Sequence, residues 1–293
     1  MFNGLSTIKI HNEPYEAISP LRPELSQKGK TVLVCGGSTG IGRAIARNFC
    51  EAGAAKIVIL SRRSDILQKT VSQLREAHPE TEVVGHTCDI FNQAESKAIW
   101  DKFETDDPTA VDVLVLNAVH QPEMKPILDQ GTDRLWQDFE TNVRAPLYLV
   151  ERFYKQPNHT GQKYCVFVST QCIHRWGLAP QMPGYQLTKS SFTCLLQEIA
   201  RDTPAEVMQT LSFHPSVVFT EAAATAGYTK DTLPWTDENI PGRFAVWAAS
   251  PEARFLHGRF VWSNWDVADL SSSAVKAEIE ADPWLLKVGV KGL

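Results

Sequence analysis

The sequence lacks the features that mark membrane, nucleic-acid-binding and secreted proteins. No apolar stretch approaches the roughly 18 residues needed to span a bilayer. No long basic run occurs in a chain with a formal net charge of -5. The N-terminal segment MFNGLSTIKIHNEPYEAISP has no basic region followed by a long apolar stretch. We therefore expect a soluble, cytoplasmic protein that binds neither nucleic acid nor membrane.

Cysteine occurs in no pattern that suggests disulfides. The six cysteines stand singly at positions 35, 50, 88, 165, 172 and 194, without a CxxC pair or a secreted disulfide spacing. We expect reduced thiols, and we expect no metal site.

Short apolar runs alternate with longer amphipathic segments from Thr31 onward. The apolar runs are TVLVC, KIVIL, EVVGHT, VDVLVL, YCVFVS and VMQTLSF, and the segments that follow the first five are 41–52, 64–77, 92–104, 131–155 and 185–201. Continuous Val/Ile/Leu runs indicate strands buried on both faces. The pattern predicts an α/β fold, a single-domain Rossmann-type doubly wound parallel sheet of about seven strands with helices on both faces.

The predicted domain covers residues 30–265. Residues 1–29 contain three prolines and little periodicity, which predicts an arm laid over the domain and outside its core, and residues 266–293 form a C-terminal tail. Residues 173–184 and 221–241 are predicted loops. Because parallel strands end at a common edge, the site is expected at that edge, beside these loops.

A glycine-rich segment, CGGSTGIGRAIA, follows the first predicted strand and opens the first helix. Gly36, Gly40 and Gly42 permit a sharp turn and a close approach of backbone to a pyrophosphate at the helix N-terminus. Ser38, Thr39 and Ile41 lie between them and are further candidate cofactor contacts. The alternative is a glycine-rich turn that only packs a strand on a helix.

Two arginines stand where an acidic residue would accept hydrogen bonds from a free ribose 2'-hydroxyl. Arg62 and Arg63 follow the second strand, and a guanidinium suits a 2'-phosphate, which favours NADP(H) over NAD(H). They could instead be two solvated arginines. Asp89 and Ile90 follow the third strand, where Asp89 could accept from an adenine amino group or cap the next helix.

Tyr185 and Lys189 stand four residues apart in GYQLTKSS, on one face of a predicted helix. A neighbouring ammonium stabilises a phenolate and brings the tyrosine pKa nearer the operating pH. A YxxxK spacing on an amphipathic helix is, by itself, more often structural.

Taken together, the motifs resemble the short-chain dehydrogenase/reductase family over roughly residues 30–265. The matching segments, in the family's order, are the glycine loop, Asp89, Asn117 in NAV, Asn142 in ETNV, VST, YQLTK and HPSVVFT. The segment ARFLHGRFVWSNWD is similar to fungal members. The resemblance implies an NADP-dependent enzyme of secondary metabolism.

The resemblance also implies catalytic roles. Tyr185 would be the general acid/base, and Lys189 would lower its pKa and hold the nicotinamide ribose. Thr170 aligns with the family's catalytic serine, with Ser169 as the alternative. Asn142 would hold a water that links Lys189 to solvent, although a lone helical Asn could be bonded back to its own helix.

The resemblance further implies contacts with the cofactor's nicotinamide end. Asn117 and Ala118 match the family's Asn-Ala-Gly, but Val119 replaces the glycine, and Ser216 stands at a second position where the family prefers glycine. Matching residues of the segment that contacts the nicotinamide are Pro215, Val218 and Thr220.

The two predicted loops flank Tyr185 and are expected to cover the substrate. Candidate substrate contacts in these loops are His174, Trp176, Met182, Tyr228 and Trp235, and Cys172, just before the first loop, is a further pocket-lining candidate. The aromatic side chains suggest a largely apolar substrate or, equally, anchors for the loops. His174 and Arg175 could meet a polar or acidic substituent, but histidines in loops more often contact solvent, so these two residues are assigned no role.

These observations favour an NADPH-dependent oxidoreductase that reduces a carbonyl, or oxidises the matching alcohol, of a small, largely apolar metabolite. A non-redox step on the same fold, such as dehydration, isomerisation or cyclisation, is the alternative. A nucleotide sensor without turnover is a third possibility, disfavoured because a sensor needs no proton relay. The resemblance implies a homodimer or homotetramer, assembled through helices 131–155 and 185–201.

Overall fold

A seven-stranded, fully parallel sheet forms the centre of the protein in a computed structural model, which describes residues 8–105, 110–120, 123–157, 159, 161–175, 182–225 and 227–290. The strand order is β3-β2-β1-β4-β5-β6-β7. The strands are β1 Thr31–Cys35, β2 Lys56–Ser61, β3 Glu82–Thr87, β4 Val113–Leu116, β5 Lys163–Val168, β6 Met208–His214 and β7 Arg259–Trp262. The order changes direction at β1, and ligands bind at this switch point in doubly wound sheets.

Helices cover both faces of the sheet. They are α1 Gly40–Glu51, α2 Ser64–Ala77, α3 Gln93–Thr105, α4 Ile127–Gln130, α5 Thr132–Phe139, α6 Ala145–Tyr154, α7 Pro183–Asp202, α8 Glu221–Thr225, α9 Asn239–Ala248, α10 Val267–Leu270 and α11 Ser273–Ala281. A π-helical turn, Glu140–Arg144, joins α5 to α6. None of the helices in the described ranges has both the length and the apolar character that crossing a membrane requires.

The predicted sheet is confirmed, and each of the six apolar runs contributes a strand. The seventh strand, Arg259–Trp262, begins with a charged residue and is only four residues long, so it has no apolar run to mark it. The predicted loop 221–241 needs correction at both ends. It begins with α8, and Asn239 starts α9, whose first turn contains Pro241. Proline is tolerated there because the first N–H groups of a helix have no intrahelical acceptor.

Two apolar clusters form the core, one on each face of the sheet. Val32 and Val34 of β1 belong to one cluster, and Leu33 and Cys35 belong to the other. This division follows from the alternation of side chains along a strand. Because both faces are covered, β1 is apolar at every position after Thr31, as the parallel-sheet prediction requires.

Side chains from the described residues 8–29 and 266–290 pack into the core, contrary to the prediction of an external arm. Ile18 and Leu25 are fully buried in the first cluster, and Val275 and Ile279 of the tail join them. The two segments also bond to each other, since the Val267 N–H donates to the Tyr15 hydroxyl at 3.0 Å. The boundaries at 29/30 and 265/266 therefore do not separate independent pieces. Sequence periodicity missed this packing because short irregular segments bury isolated residues without a repeat.

Candidate active site

The glycine loop between β1 and α1 brings backbone atoms into close contact. Gly36 has a φ of 77°, a conformation that favours glycine. A Cβ atom on Gly42 would lie 2.1 Å from the Gly36 carbonyl oxygen, so no larger side chain fits. The Asn117 amide, after β4, donates to that same carbonyl at 2.9 Å. The loop is therefore held tightly against the neighbouring strand end, and it leaves the N-terminus of α1 open to the sheet edge.

A cavity of about 550 Å³ lies beside this loop at the switch point of the sheet. Twelve of the predicted cofactor residues line it, namely Gly36, Ser38, Thr39, Gly40, Ile41, Arg62, Arg63, Asp89, Ile90, Asn117, Ala118 and Thr220. Sequence reasoning missed Ser61, Cys88, Phe91, Val119, His120, Glu221, Ala222 and Thr225 as wall residues. The predicted contacts Gly42, Tyr185, Lys189, Pro215 and Val218 are not on the cavity wall.

The two arginines after β2 lie at the cavity in different settings. Arg63 makes two contacts with the Glu221 carboxylate, at 3.3 and 3.2 Å, and donates to the Thr39 hydroxyl at 3.3 Å. The Arg62 guanidinium lies over the Phe91 ring, 5.7 Å from its centroid. Arg63 is thus already ion-paired, a feature that the local sequence did not reveal because Glu221 is 158 residues away.

Asp89 is not the cap of the following helix. Its carboxylate accepts from the Phe91 backbone N–H at 3.1 Å, within the turn that follows β3. Asn92 caps α3 instead, accepting from the Ala94 N–H at 3.0 Å. The Asp89 carboxylate therefore remains at the cavity wall, where the adenine prediction places it.

The cavity residues fit a dinucleotide cofactor. The cradle at Gly36 and Gly42 has no room for side chains, which matches a loop that brings backbone N–H groups to a pyrophosphate. Hydrogen-bonding groups line the part of the cavity beside Arg62, where the Ser38 and Ser61 hydroxyls lie 2.7 Å apart. Within the described ranges, His, Cys, Asp and Glu side chains form no group of three that could hold a metal ion.

Tyr185 is the third residue of α7, and its phenol meets the hydroxyl of Thr170 just beyond β5. Burial raises the pKa of Tyr185 to about 12, and the hydrogen bond with Thr170 opposes that rise. Ser169 lies in a different environment, where its hydroxyl pairs with Thr193 at 2.8 Å. Of the two candidate hydroxyls, Thr170 is therefore the one beside the phenol.

Lys189 is buried one turn along the same helix. Its ammonium donates to the Val168 carbonyl at 2.6 Å and lies 4.5 Å from the centroid of the Phe167 ring. Burial lowers the pKa of Lys189 to about 7. The expected lowering of the Tyr185 pKa by this ammonium is not seen, because burial dominates at the phenol and the ammonium is bonded to the end of β5.

The buried amine predicts a pH-dependent stability. The unfolded chain holds this proton up to about pH 10.5, and the folded chain holds it only up to about pH 7. Between these values the unfolded state binds more protons, so the free energy of unfolding due to Lys189 rises with pH. In urea titrations from pH 7 to about pH 9, Lys189→Met should remove this rise, whereas the exposed control Lys155→Met should retain it. Identical slopes for wild type and Lys189→Met would contradict the assignment.

Asn142 lies in the π-helical turn and bonds away from its own helix. Its side-chain oxygen accepts from the His120 N–H at 3.0 Å, and its amide donates to the Thr188 hydroxyl at 3.4 Å. The alternative of a back-bonded helical Asn is therefore wrong. Asn142 connects the segment after β4 with the helix that carries Tyr185, and π-helical turns often occur at functional sites.

The two positions where the family prefers glycine differ in backbone conformation. Ser216 has a φ of 68°, the left-handed conformation that favours glycine, while Val119 keeps a negative φ. The Ser216 hydroxyl lies 3.2 Å from the Ser263 hydroxyl. A non-glycine residue in this region costs about 1 kcal/mol. We expect Ser216→Gly to leave the free energy of unfolding in urea unchanged or to raise it by up to about 1 kcal/mol. A lower free energy of unfolding in the variant would show that the contact with Ser263 outweighs the strain.

The predicted substrate residues fall into two groups. The Cys172 side chain lies near Tyr185, and Met182 immediately precedes α7. Trp235 packs on Phe219 with ring centroids 5.2 Å apart, and its indole donates to the Thr229 carbonyl. Trp235 is therefore a loop anchor in this structure. The half-exposed Tyr228 packs on it, and Trp176 lies outside the described residues.

Comparison with known proteins agrees with the fold and the motifs. The family model described as short chain dehydrogenase matches residues 30–231. The protein "Short chain dehydrogenase/reductase AacuD" of Aspergillus aculeatus is 32% identical over 284 residues, covering 97% of this chain and 96% of that protein. The chain belongs to the short-chain dehydrogenase family, whose members are nicotinamide-dependent oxidoreductases, and the predicted family is confirmed.

Solved structures share the fold at lower identity. L-sorbose reductase from Gluconobacter frateurii, complexed with NADPH and L-sorbose, has a TM-score of 0.71 at 20% identity and covers 82% of this chain and 96% of its own. A 7α-hydroxysteroid dehydrogenase complexed with NADH has a TM-score of 0.72 at 20% identity, with coverage of 86% and 97%. These two neighbours hold different cofactors, so the choice of cofactor has to be argued from the residues of this chain.

Proposed function

We propose that the protein is an NADPH-dependent reductase of a small carbonyl compound, or the dehydrogenase of the matching alcohol. The contact between the Tyr185 phenol and the Thr170 hydroxyl carries this proposal, because it places a proton donor and a second hydrogen-bonding group at the same point of the sheet edge. Both groups lie at the carboxyl ends of the central strands, the edge that also holds the glycine loop.

Each residue of the site has a role in this reaction. The Thr170 hydroxyl donates a hydrogen bond to the substrate carbonyl oxygen and orients it. The Tyr185 phenol is protonated at neutral pH, and burial, which raises its pKa to about 12, holds it in that form; it gives its proton to that oxygen. A nicotinamide cofactor, which the glycine loop and the cavity wall would hold, would supply the hydride for the carbonyl carbon. The Lys189 amine, whose pKa burial lowers to about 7, would hold the nicotinamide ribose from its position at the end of β5.

The proposed preference for NADP(H) depends on Arg62 and Arg63. Both line the cavity at the end of β2, where a 2'-phosphate would lie in this family, and no acidic residue follows β2 at these positions. The contact between Arg63 and Glu221 makes Glu221 a competitor for the phosphate. An exposed ion pair contributes only about 0.2–1 kcal/mol, so a doubly charged phosphate should displace it.

Substitutions on both sides of this ion pair test the preference. We expect Arg63→Gln to raise the Kd for NADPH about 10–100-fold and to leave the Kd for NADH nearly unchanged, since hydrogen bonds to charged groups contribute about 1.5–3 kcal/mol. Glu221→Gln should lower the Kd for NADPH up to about fivefold. Lys155→Gln, an exposed lysine that pairs with Glu151, is the control. Titration of each variant by calorimetry measures these constants, and equal losses for NADH and NADPH in Arg63→Gln would refute the preference.

The activity itself is tested by mixing the protein with NADPH and a broad panel of ketones and aldehydes. Loss of the reduced-nicotinamide absorbance in step with alcohol formation is expected for at least one carbonyl class. Product formation without net cofactor consumption would instead identify the non-redox alternative. NADPH binding with no reaction on any member of the panel would favour the sensor.

A further inference from the structure

His214 is a buried imidazole that the mechanism above does not use. It is the last residue of β6, and only 5% of its surface is exposed. Within the described part of the chain neither ring nitrogen has a hydrogen-bond partner. Burial lowers the pKa of His214 to about 3, so the ring is neutral, with one N–H to donate and one nitrogen to accept. Buried polar groups nearly always have partners, so this ring requires an explanation.

The surroundings of His214 are basic and aromatic. Its ring meets the Trp262 ring edge-on, with centroids 4.9 Å apart. The Arg175 guanidinium lies 5.5 Å from the centroid of the same Trp262 ring. The centroid of the His174 ring lies 6.0 Å from that of Trp262 and 5.4 Å from that of Phe260. The charged groups that act on His214 among the described residues are His174 and Arg175, and both lower its pKa. His174, Arg175 and His214 thus lie around one indole, and the exposed Arg175 guanidinium also donates to the Gln171 side-chain oxygen at 3.1 Å. Among the described residues, no carboxylate acts on the buried His214 ring.

The cluster lies next to the proposed catalytic groups. Thr170, the partner of Tyr185, caps the single 3₁₀ turn Gln171–Ile173, and His174 follows that turn directly. β5 pairs with β6 up to Val168 and Phe213, so His214 is at the same sheet edge, one strand farther from β1. The cluster and the proposed catalytic groups therefore share one edge of the sheet.

We propose that His174, Arg175 and His214 bind an acidic oxygen of the substrate, a carboxylate or an ionised phenol. The neutral His214 ring donates its N–H to that oxygen, the Arg175 guanidinium provides the opposite charge, and the Trp262 indole packs against the carbon skeleton. The substrate is then an acidic carbonyl compound, anchored at one end and reduced at the other. This inference deepens the proposed function and rests on it for the position of the carbonyl.

Matched ketones test the cluster. The probes are para-acetylbenzoate, its methyl ester, and a hydroxy-nitroacetophenone whose phenol is ionised at neutral pH. In the wild type, kcat/KM for the benzoate should exceed that for the ester about 10–100-fold, the range expected for a hydrogen bond to a charged group. Arg175→Gln and His214→Phe should each reduce this preference at least about tenfold, with kcat/KM for the ester changed less than about threefold. The phenol probe distinguishes a site for any acidic oxygen from one restricted to carboxylates.

The control and the contrary outcomes separate this inference from the proposed function. Arg201→Gln removes an exposed guanidinium at the end of α7 and should keep the full preference for the acid. Two results would show that the cluster does not bind acidic oxygens: equal kcat/KM for the ester and the benzoate in the wild type, or an unchanged preference for the benzoate in Arg175→Gln. Either result would leave the reductase function standing. If no ketone is reduced, the reductase function fails. Calorimetric titration of para-acetylbenzoate then decides the cluster alone, because unchanged affinity in Arg175→Gln overturns it.

Discussion

Tyr185→Phe is expected to lower kcat for carbonyl reduction about 10²–10⁴-fold, the usual contribution of a positioned general acid. The substitution removes one oxygen atom and keeps the ring, so the packing of α7 should be unchanged. The phenol is the only group in this proposal that transfers a proton to the substrate oxygen, and Thr170 alone can orient the carbonyl without protonating it. Single-turnover measurements with NADPH give the rate of the chemical step.

The Kd for NADPH provides the critical comparison for this variant. It should stay within about twofold of the wild-type value, because NADPH binds before the chemical step and its binding does not involve the proton that Tyr185 transfers. Tyr154→Phe, an exposed tyrosine at the end of α6, is the matched control and should retain full activity. Wild-type turnover in Tyr185→Phe would remove the acid/base role and with it the central argument for a reductase.

Gly42→Ala is expected to abolish cofactor binding and to destabilise the protein. The new methyl group would lie 2.1 Å from the Gly36 carbonyl oxygen and 2.5 Å from the Asn117 amide nitrogen, so the loop must move. Overpacking of this kind costs about 1–3 kcal/mol of unfolding free energy. The displaced loop no longer presents its backbone to a pyrophosphate, and we expect the Kd for NADPH to rise more than about 100-fold, a loss of about 2.7 kcal/mol or more.

Gly289→Ala is the control for that substitution, since an added Cβ there meets no atom within 4 Å. Calorimetric titration and urea unfolding measure both effects. Unchanged NADPH affinity in Gly42→Ala would show that the cavity beside the loop is not the cofactor site.

Features carried by consecutive residues could be predicted from the sequence. The six apolar runs became strands because a strand buried on both faces must be apolar at nearly every position. The glycine loop could be located because its conformation is set within one turn between a strand and a helix. The family followed from the order of these motifs.

Features that depend on distant residues could not be predicted. β7 is too short and too polar at its start to be marked by periodicity, and it is a strand because it completes the sheet next to β6. The ion pair between Arg63 and Glu221 joins segments 158 residues apart. The burial of Ile18 and Leu25 depends on a surface made by helices from the other end of the domain.

By itself, the sequence determined the fold class, the glycine loop and the placement of Tyr185 and Lys189 one turn apart on a helix, because periodicity and local spacing are properties of contiguous residues. Only the tertiary structure decided which hydroxyl meets the phenol. Ser169 and Thr170 are adjacent, and consecutive residues in an extended segment point to opposite sides, so one pairs with Thr193 and the other with Tyr185. The same is true of His214, whose basic and aromatic neighbours come from two separate segments that meet β6 only at the edge of the folded sheet.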